Sequence, residues 1–337
     1  MKNALWMHLI LATGISTIAA PALASSAVGT ISSLTGNIAD SPCGSPEGLT
    51  IDFEGNFYTG SSQTKSTGDV CQILPNGTLS HVYAIPPGPA GVVSLLGLLY
   101  EGPHKLFALD FADSFENPRH TNGRVLSVDT DTGAVTTVAS GFTFPNGIAE
   151  DLHGDYYVAD SFAGMVTRIS ADGSSKTMWS QSPLLLPGTG FPPLGANGIA
   201  FDLFFQNVYV SNTSNHQIIR IPVELDGSAG TAEVFADGPT IDAKQGTTNA
   251  LAGADGIAFD LFGNLYVCAN QANQIQVISQ DAKLTAHYTS STVTLDNPAS
   301  LVFLGSQLFF TNASIFDGGT NSAVYVLQTP SFGLPPL

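Results

Sequence analysis

Four residues with oxygen-bearing side chains each precede a glycine in one recurring phrase. They stand in Glu47-Gly48-Leu49-Thr50-Ile51-Asp52, Asn146-Gly147-Ile148-Ala149-Glu150-Asp151, Asn197-Gly198-Ile199-Ala200-Phe201-Asp202 and Asp255-Gly256-Ile257-Ala258-Phe259-Asp260. Repeats arranged about an axis would bring the four side chains together there. Two carboxylates and two amides converging on one point make an all-oxygen site for a hard cation. Such a site suits Ca2+ better than Mg2+, and either better than zinc or copper. Two carboxylates facing each other in a narrow channel repel by about 4 kcal/mol at ~4 Å and an effective dielectric of ~20. Either one of them takes a proton or a cation neutralises the pair. Asn-Gly and Asp-Gly are also common turn dipeptides, but Glu47 is no turn-former.

The elements that must position these residues form an internal repeat. Each unit has a short strand such as Gly256–Asp260, a turn, a second strand such as Gly263–Val267, a polar loop and a third strand such as Gln274–Ile278. A fourth strand follows an Asp-Gly or Asn-Gly turn, as at Asn76-Gly77 and Asp172-Gly173. The unit occurs six times. The equivalent key positions are Glu47, Leu96, Asn146, Asn197, Asp255 and Ala299, at separations of 49, 50, 51, 58 and 44 residues. No amphipathic helix of useful length is predicted. Six four-stranded units at this period predict an all-β chain folded as a six-bladed β-propeller. The last unit lacks a fourth strand, and Ala27–Leu34 is the candidate to close it from the N-terminal side. In such a ring the first strand of each blade lines the channel, and its leading residue sits at the mouth.

The chain of 337 residues is 43% apolar and 11% charged, with a net charge of −17 and no basic block. Nucleic acid and anionic membrane surfaces are poor partners for such a chain. Residues 1–24 read as a secretory signal: Lys2, an apolar run over Ala4–Ala20, and an Ala22-Leu23-Ala24 cleavage motif. An uncleaved anchor is the alternative. Residues 25–337 are then a single propeller domain, secreted or periplasmic. In an oxidising compartment Cys43 and Cys71 are the pair expected to form a disulfide, and Cys268, in a strand-like run, a buried thiol. His120 and His216 fall in loops on the channel-mouth face and are candidate pocket residues. Asp160 recurs in the repeat and reads as a structural hydrogen-bonding residue. The chain has no Gly-x-Ser-x-Gly, no phosphate loop and no dinucleotide fingerprint.

The repeat and its four donors resemble the gluconolactonase/regucalcin (senescence marker protein) family of six-bladed propellers, and more distantly the paraoxonases and diisopropylfluorophosphatase. The resemblance covers the chain after the signal, although its motifs are short. In that family a catalytic divalent ion, commonly Ca2+, is held by a blade-one Glu, Asn residues of blades three and four, and a blade-five Asp. Glu47, Asn146, Asn197 and Asp255 match in type and blade order. The resemblance implies metal-dependent hydrolysis of a small-molecule lactone or related ester, with Asp255 as base or nucleophile and Glu47 beside it. A non-enzymatic propeller with a structural ion is the rival reading, and a metal-free propeller with a Glu base a third. There is one departure. Sugar-lactonase members often carry Arg two residues before the blade-three Asn, where this chain has Phe144. Together with Leu96 and the apolar loops 84–96 and 184–194, Phe144 predicts an apolar substrate rather than a sugar acid.

Overall fold

The computed structural model describes residues 27–334, and six four-stranded antiparallel sheets follow one another around a ring. The innermost strands are Pro46–Ile51, Leu95–Glu101, Pro145–Glu150, Ala196–Phe201, Ala254–Phe259 and Pro298–Leu304. Each of the six key positions is the second residue of one of them. The signal-peptide reading lies outside the described residues. Among those described, no helix is long and apolar enough to cross a membrane.

Local chemistry explains the blade. The Asp ending the repeat phrase stops the first strand by collecting the amides of the next turn. Asp52 Oδ1 accepts from the backbone N–H of Glu54 and of Asn56, and Asp260 does the same for Phe262 and Asn264. The chain then reverses into the second strand. The predicted Asn76-Gly77 and Asp172-Gly173 turns have glycine at φ 84° and 70°, a region open to glycine at little cost.

The blades pack through six apolar slabs, one at each blade–blade junction. Tyr58, Tyr83 and Ile85 of blade one meet Leu95, Leu98 and Tyr100 of blade two, and Phe57 meets Phe309 across the closing junction. Closure is the one predicted: Ile31–Ser33 pairs antiparallel with Ala323–Gln328 and completes blade six. With this strand in place, no blade is left at three strands.

One element differs from the sequence expectation. The loop entering blade five contains an eight-residue α-helix, Gly238–Gln245. Its one buried side chain beyond Gly238 is Ile241, so it has no apolar stripe to betray it. End chemistry defines it instead: Asp237 caps the Thr240 N–H, a proline sits in the first turn, and Gly246 at φ 67° stops it.

The Cys43–Cys71 disulfide is present, with Cα atoms 6.1 Å apart, and Cys268 is a buried free thiol. Cys71 lies inside the third strand, Gly68–Ile73, rather than at its start. The bridge ties the segment leading into Glu47 to the body of blade one. It closes a sequence separation of 28 residues, so chain entropy predicts about 3.5 kcal/mol of stabilisation. Denaturant unfolding of the Cys43→Ser/Cys71→Ser variant should show a loss of that order; an unchanged midpoint would mean the bridge adds nothing to stability.

Candidate active site at the channel mouth

Two features of the innermost strands build the site, the first in all six blades and the second in five. The first is a register break at the key residue. Pairing jumps from Pro46 to Leu49, Leu95 to Leu98, Pro145 to Gly147, Ala196 to Ile199, Ala254 to Ile257 and Pro298 to Leu301. Such a bulge releases the key residue from the ladder and re-aims its side chain. The second is the following glycine. A Cβ on Gly48 would stand 2.1 Å from the Leu96 carbonyl oxygen. On Gly97, Gly147, Gly198 and Gly256 it would stand 2.3–2.5 Å from the carbonyl oxygen of the next blade's key residue. Only glycine allows the strands to come so close. At the sixth junction the residue is Ser300, and Thr311 Oγ1 donates to the Glu47 carbonyl at 2.7 Å instead. The six key residues therefore form one unbroken ring.

Glu47, Asn146, Asn197 and Asp255 are all buried in that ring, each 3–6% exposed. The two amides are oriented by hydroxyl groups. Ser161 Oγ donates to the Ala196 carbonyl at 2.6 Å, and Thr213 Oγ1 donates to the Ala254 carbonyl at 2.9 Å. A hydroxyl has one proton, and here it is spent on the next blade. Towards the amides these oxygens must accept, from Asn146 Nδ2 at 3.1 Å and from Asn197 Nδ2 at 2.9 Å. The carbonyl oxygens Oδ1 are thus the free ends of both amides. In blade five Asn270 takes the same part, its Nδ2 donating to Asp255 Oδ2 at 2.9 Å. Asn270 Oδ1 is buried without a partner and faces Gly253, where an added Cβ would lie 2.0 Å away.

Ser161, Thr213 and Asn270 were not singled out from the sequence, yet a signal was there. They follow their key residues by 15, 16 and 15 positions, and the same column reads Ser62, Phe111 and Ala313 in the other blades. It is polar where the key residue is polar and apolar where the key residue is apolar.

Burial first, and then the charge of Asp255, holds the Glu47 carboxyl well above the usual carboxylate range. Burial likewise pushes Asp255 up to about 7, against hydrogen bonds from Asn270, Asn197 and the Gly256 backbone that pull it down. The Cys268 thiol is raised by its burial and by these two carboxylates, so it stays protonated. Among the described residues, no Lys, Arg or His pairs with either acid. Two buried carboxylates with no protein cation, flanked by two outward amide oxygens, fit a hard divalent ion.

The apolar sector of the ring continues into a wall. Leu96, Phe111 and Phe144 form a small cluster apart from the six slabs, with Phe162 and Leu194 against it. The Phe144 ring lies 4.5 Å from Phe111, 4.7 Å from Phe162 and 6.2 Å from Phe115. Asp160 has the structural part expected of it, accepting from the backbone N–H groups of Thr143, Phe144 and Ala163. The two candidate histidines sit differently. His120 is in an exposed loop, 2.8 Å from Asp113. His216 Nδ1 accepts from the Gly253 N–H at 2.9 Å, anchoring the segment that leads into Asp255.

The model of the SMP-30/gluconolactonase/LRE-like region matches residues 193–314. That stretch contains Asn197 and Asp255, while Glu47 and Asn146 lie outside it. No curated protein matches the chain. Among solved structures, a calcium-binding protein, regucalcin, from Agrobacterium tumefaciens superposes with a TM-score of 0.64 at 17% identity, covering 90% of this chain and 96% of that one. A gluconolactonase from Xanthomonas campestris superposes with a TM-score of 0.63 at 16% identity, covering 94% and 93%. A luciferin-regenerating enzyme superposes at 0.64 with 15% identity, covering 91% and 98%. The resemblance drawn from the repeat phrase is thus met by a family match and by propellers of the same fold.

The two raised carboxyls make a pH prediction for cation-free protein. An unfolded Glu or Asp releases its proton near pH ~4, whereas folded Asp255 holds its proton up to about pH 7 and Glu47 is raised in the same direction by its burial and by Asp255. Between these values the folded state binds more protons, so stability falls as pH rises. Chelated protein should lose stability from pH 4.5 to 7.5 in denaturant melts, and Asp255→Asn should flatten that slope. A stability that climbs through this range would contradict the pairing of the two acids.

Proposed function

We propose that this chain is an exported, divalent-cation-dependent hydrolase that opens lactones or related esters carrying an apolar group. The observation that carries the reading is the orientation of the two amides. Ser161 and Thr213 turn the carbonyl oxygens of Asn146 and Asn197 outward beside two carboxylates that have no protein counter-charge. The family match over blades four to six supports hydrolase chemistry, and the N-terminal sequence supports export.

Glu47, Asn146, Asn197 and Asp255 would hold the ion, Ca2+ by choice of donors, which would polarise the substrate carbonyl and stabilise charge developing on its oxygen. Asn270 holds Asp255 through Oδ2, so the carboxylate is fixed where it can take a proton from the attacking water. Glu47 contributes the second negative charge. Phe162 and Leu194, packed against the buried Leu96–Phe111–Phe144 cluster, would meet the acyl or aryl part of the substrate. A sugar acid set there would leave hydroxyls unpaired, at about 1–3 kcal/mol each. An alkyl chain would gain about 0.8 kcal/mol per buried methylene.

Calorimetric titration with Ca2+ should find one site per chain. Asp255→Asn and Glu47→Gln should abolish turnover while circular dichroism stays native. Ser161→Ala and Thr213→Ala should each weaken Ca2+ binding about 10–100-fold by releasing an amide. Undiminished hydrolysis by fully chelated protein would overturn the metal-dependent reading.

Across a series of lactones and aryl esters, kcat/KM should rise with acyl size by up to about fourfold per methylene, and gluconolactone should be a poor substrate. Phe144 is 2% exposed beneath its neighbours, so an Arg there would disrupt packing. Phe162→Ala is the cleaner test of the wall and should lower the slope of the series. A preference for gluconolactone over an alkyl lactone of equal ring size would exclude the apolar pocket.

A further inference from the structure

Each innermost strand runs from the channel mouth to the opposite face of the ring, so the turn after its closing Asp lies on that far face. In blades one, three, four and five the residue after that Asp is Phe53, Leu152, Leu203 or Leu261. Turn positions favour Gly, Asn, Asp and Ser, yet these four are apolar and 40–59% exposed. Phe204 and Phe262 follow in the turns of blades four and five, 60% and 68% exposed. Phe332, 60% exposed, joins blade five to blade six. Its carbonyl accepts from the Leu261 N–H at 2.8 Å, and its ring lies beside Gly305 in the turn of blade six. Phe53 leans the other way, its ring 5.9 Å from that of Tyr100 in blade two.

At ~200 Å2 for a fully exposed side chain of this size, these phenylalanines and leucines present about 800 Å2 of apolar surface. The largest apolar patch on a monomeric protein is commonly about 300–600 Å2, and a stable interface takes about 800 Å2 from each partner. The face is also self-complementary. Apolar turns grouped around the channel axis meet their own copy when a two-fold axis lies across that channel, and such a contact closes on itself. The outer turns of the same face carry exposed Asp131, Asp172 and Asp226, and the chain has a net charge of −17. An anionic lipid surface would be repelled. A second copy meets the same acidic rim, but exposed charges are screened beyond about 8 Å at physiological salt, while the apolar contact persists.

We propose that two copies of this chain pair face to face through these apolar turns, with the two channel mouths at the far ends of the dimer. The pairing is independent of the hydrolase reading. Phe204, Phe262 and Phe332, on the neighbouring blades four to six, are its principal anchors. The acidic outer turns form a rim around them, so the dimer is held by its apolar centre against a mild repulsion at its edge.

Sedimentation velocity of the mature protein, over a range of concentrations at low and high salt, tests the pairing. Wild type should form a dimer, and salt should favour it by screening the rims. Phe204→Ser/Phe262→Ser removes two exposed rings from each copy and should weaken the dimer at least about 100-fold. Phe332→Glu should do the same by a separate route, setting like charges together. Phe316→Ser removes a ring that is 57% exposed at the mouth, in the loop between the second and third strands of blade six, and should leave the dimer unchanged. A wild type that stays monomeric, a dimer that both far-face variants keep, or one that salt dissociates would overturn the pairing. Flotation of monomeric wild type, but not of the double variant, with phosphatidylcholine vesicles would also overturn it and assign the face to lipid.

Discussion

Everything at the channel mouth depends on how closely the innermost strands approach. Five of the six junctions set a glycine against the next blade's key carbonyl, where a Cβ would come within 2.1–2.5 Å. A wider ring would still be a propeller, but its four oxygen-bearing key residues would stand farther apart. The glycine that recurs in the repeat phrase is therefore a condition for the site as well as for the fold. The junction without it, at Ser300, is bridged by the Thr311 hydroxyl to the Glu47 carbonyl, so closure and site assembly meet at one hydrogen bond.

The same economy governs orientation. Ser161 and Thr213 each fasten the next blade with a proton and turn an asparagine with a lone pair. Blade docking and amide orientation cannot then vary independently. The bulge at each key residue completes the arrangement, because a side chain inside the regular ladder would point into a blade–blade slab.

The apolar key positions have a consequence for chemistry. Blade two has Leu96 and Phe111 where blades one, three, four and five have polar residues, and with Phe144 of blade three they make an apolar cluster in the ring. The ring is polar at Glu47, Asn146, Asn197 and Asp255, and apolar at Leu96 and Ala299. On the proposed reading, a substrate would turn its reacting group to the polar arc and its apolar group to the Leu96 sector.

By itself the sequence determined the six blades, their order, the closing N-terminal strand, the disulfide pair and the four oxygen-bearing residues that meet in the ring. Each of these is written in spacing and residue type, and a period near fifty residues, with Gly and Asp at fixed places, permits few folds. The helix at Gly238–Gln245 was not legible, because capping rather than apolar periodicity makes it. The contrast between His216 and His120 was not legible either, since their loops look alike until one is seen to hold the Gly253 N–H and the other to face solvent beside Asp113. Only the tertiary structure decided which way the asparagine amides face, that Phe144 lies covered, and that Phe191, between blades three and four, meets Phe316 of blade six. All three are set by contacts between different blades, or between a loop and a blade far from it in sequence. Such contacts exist only once the ring has closed, so no local pattern records them.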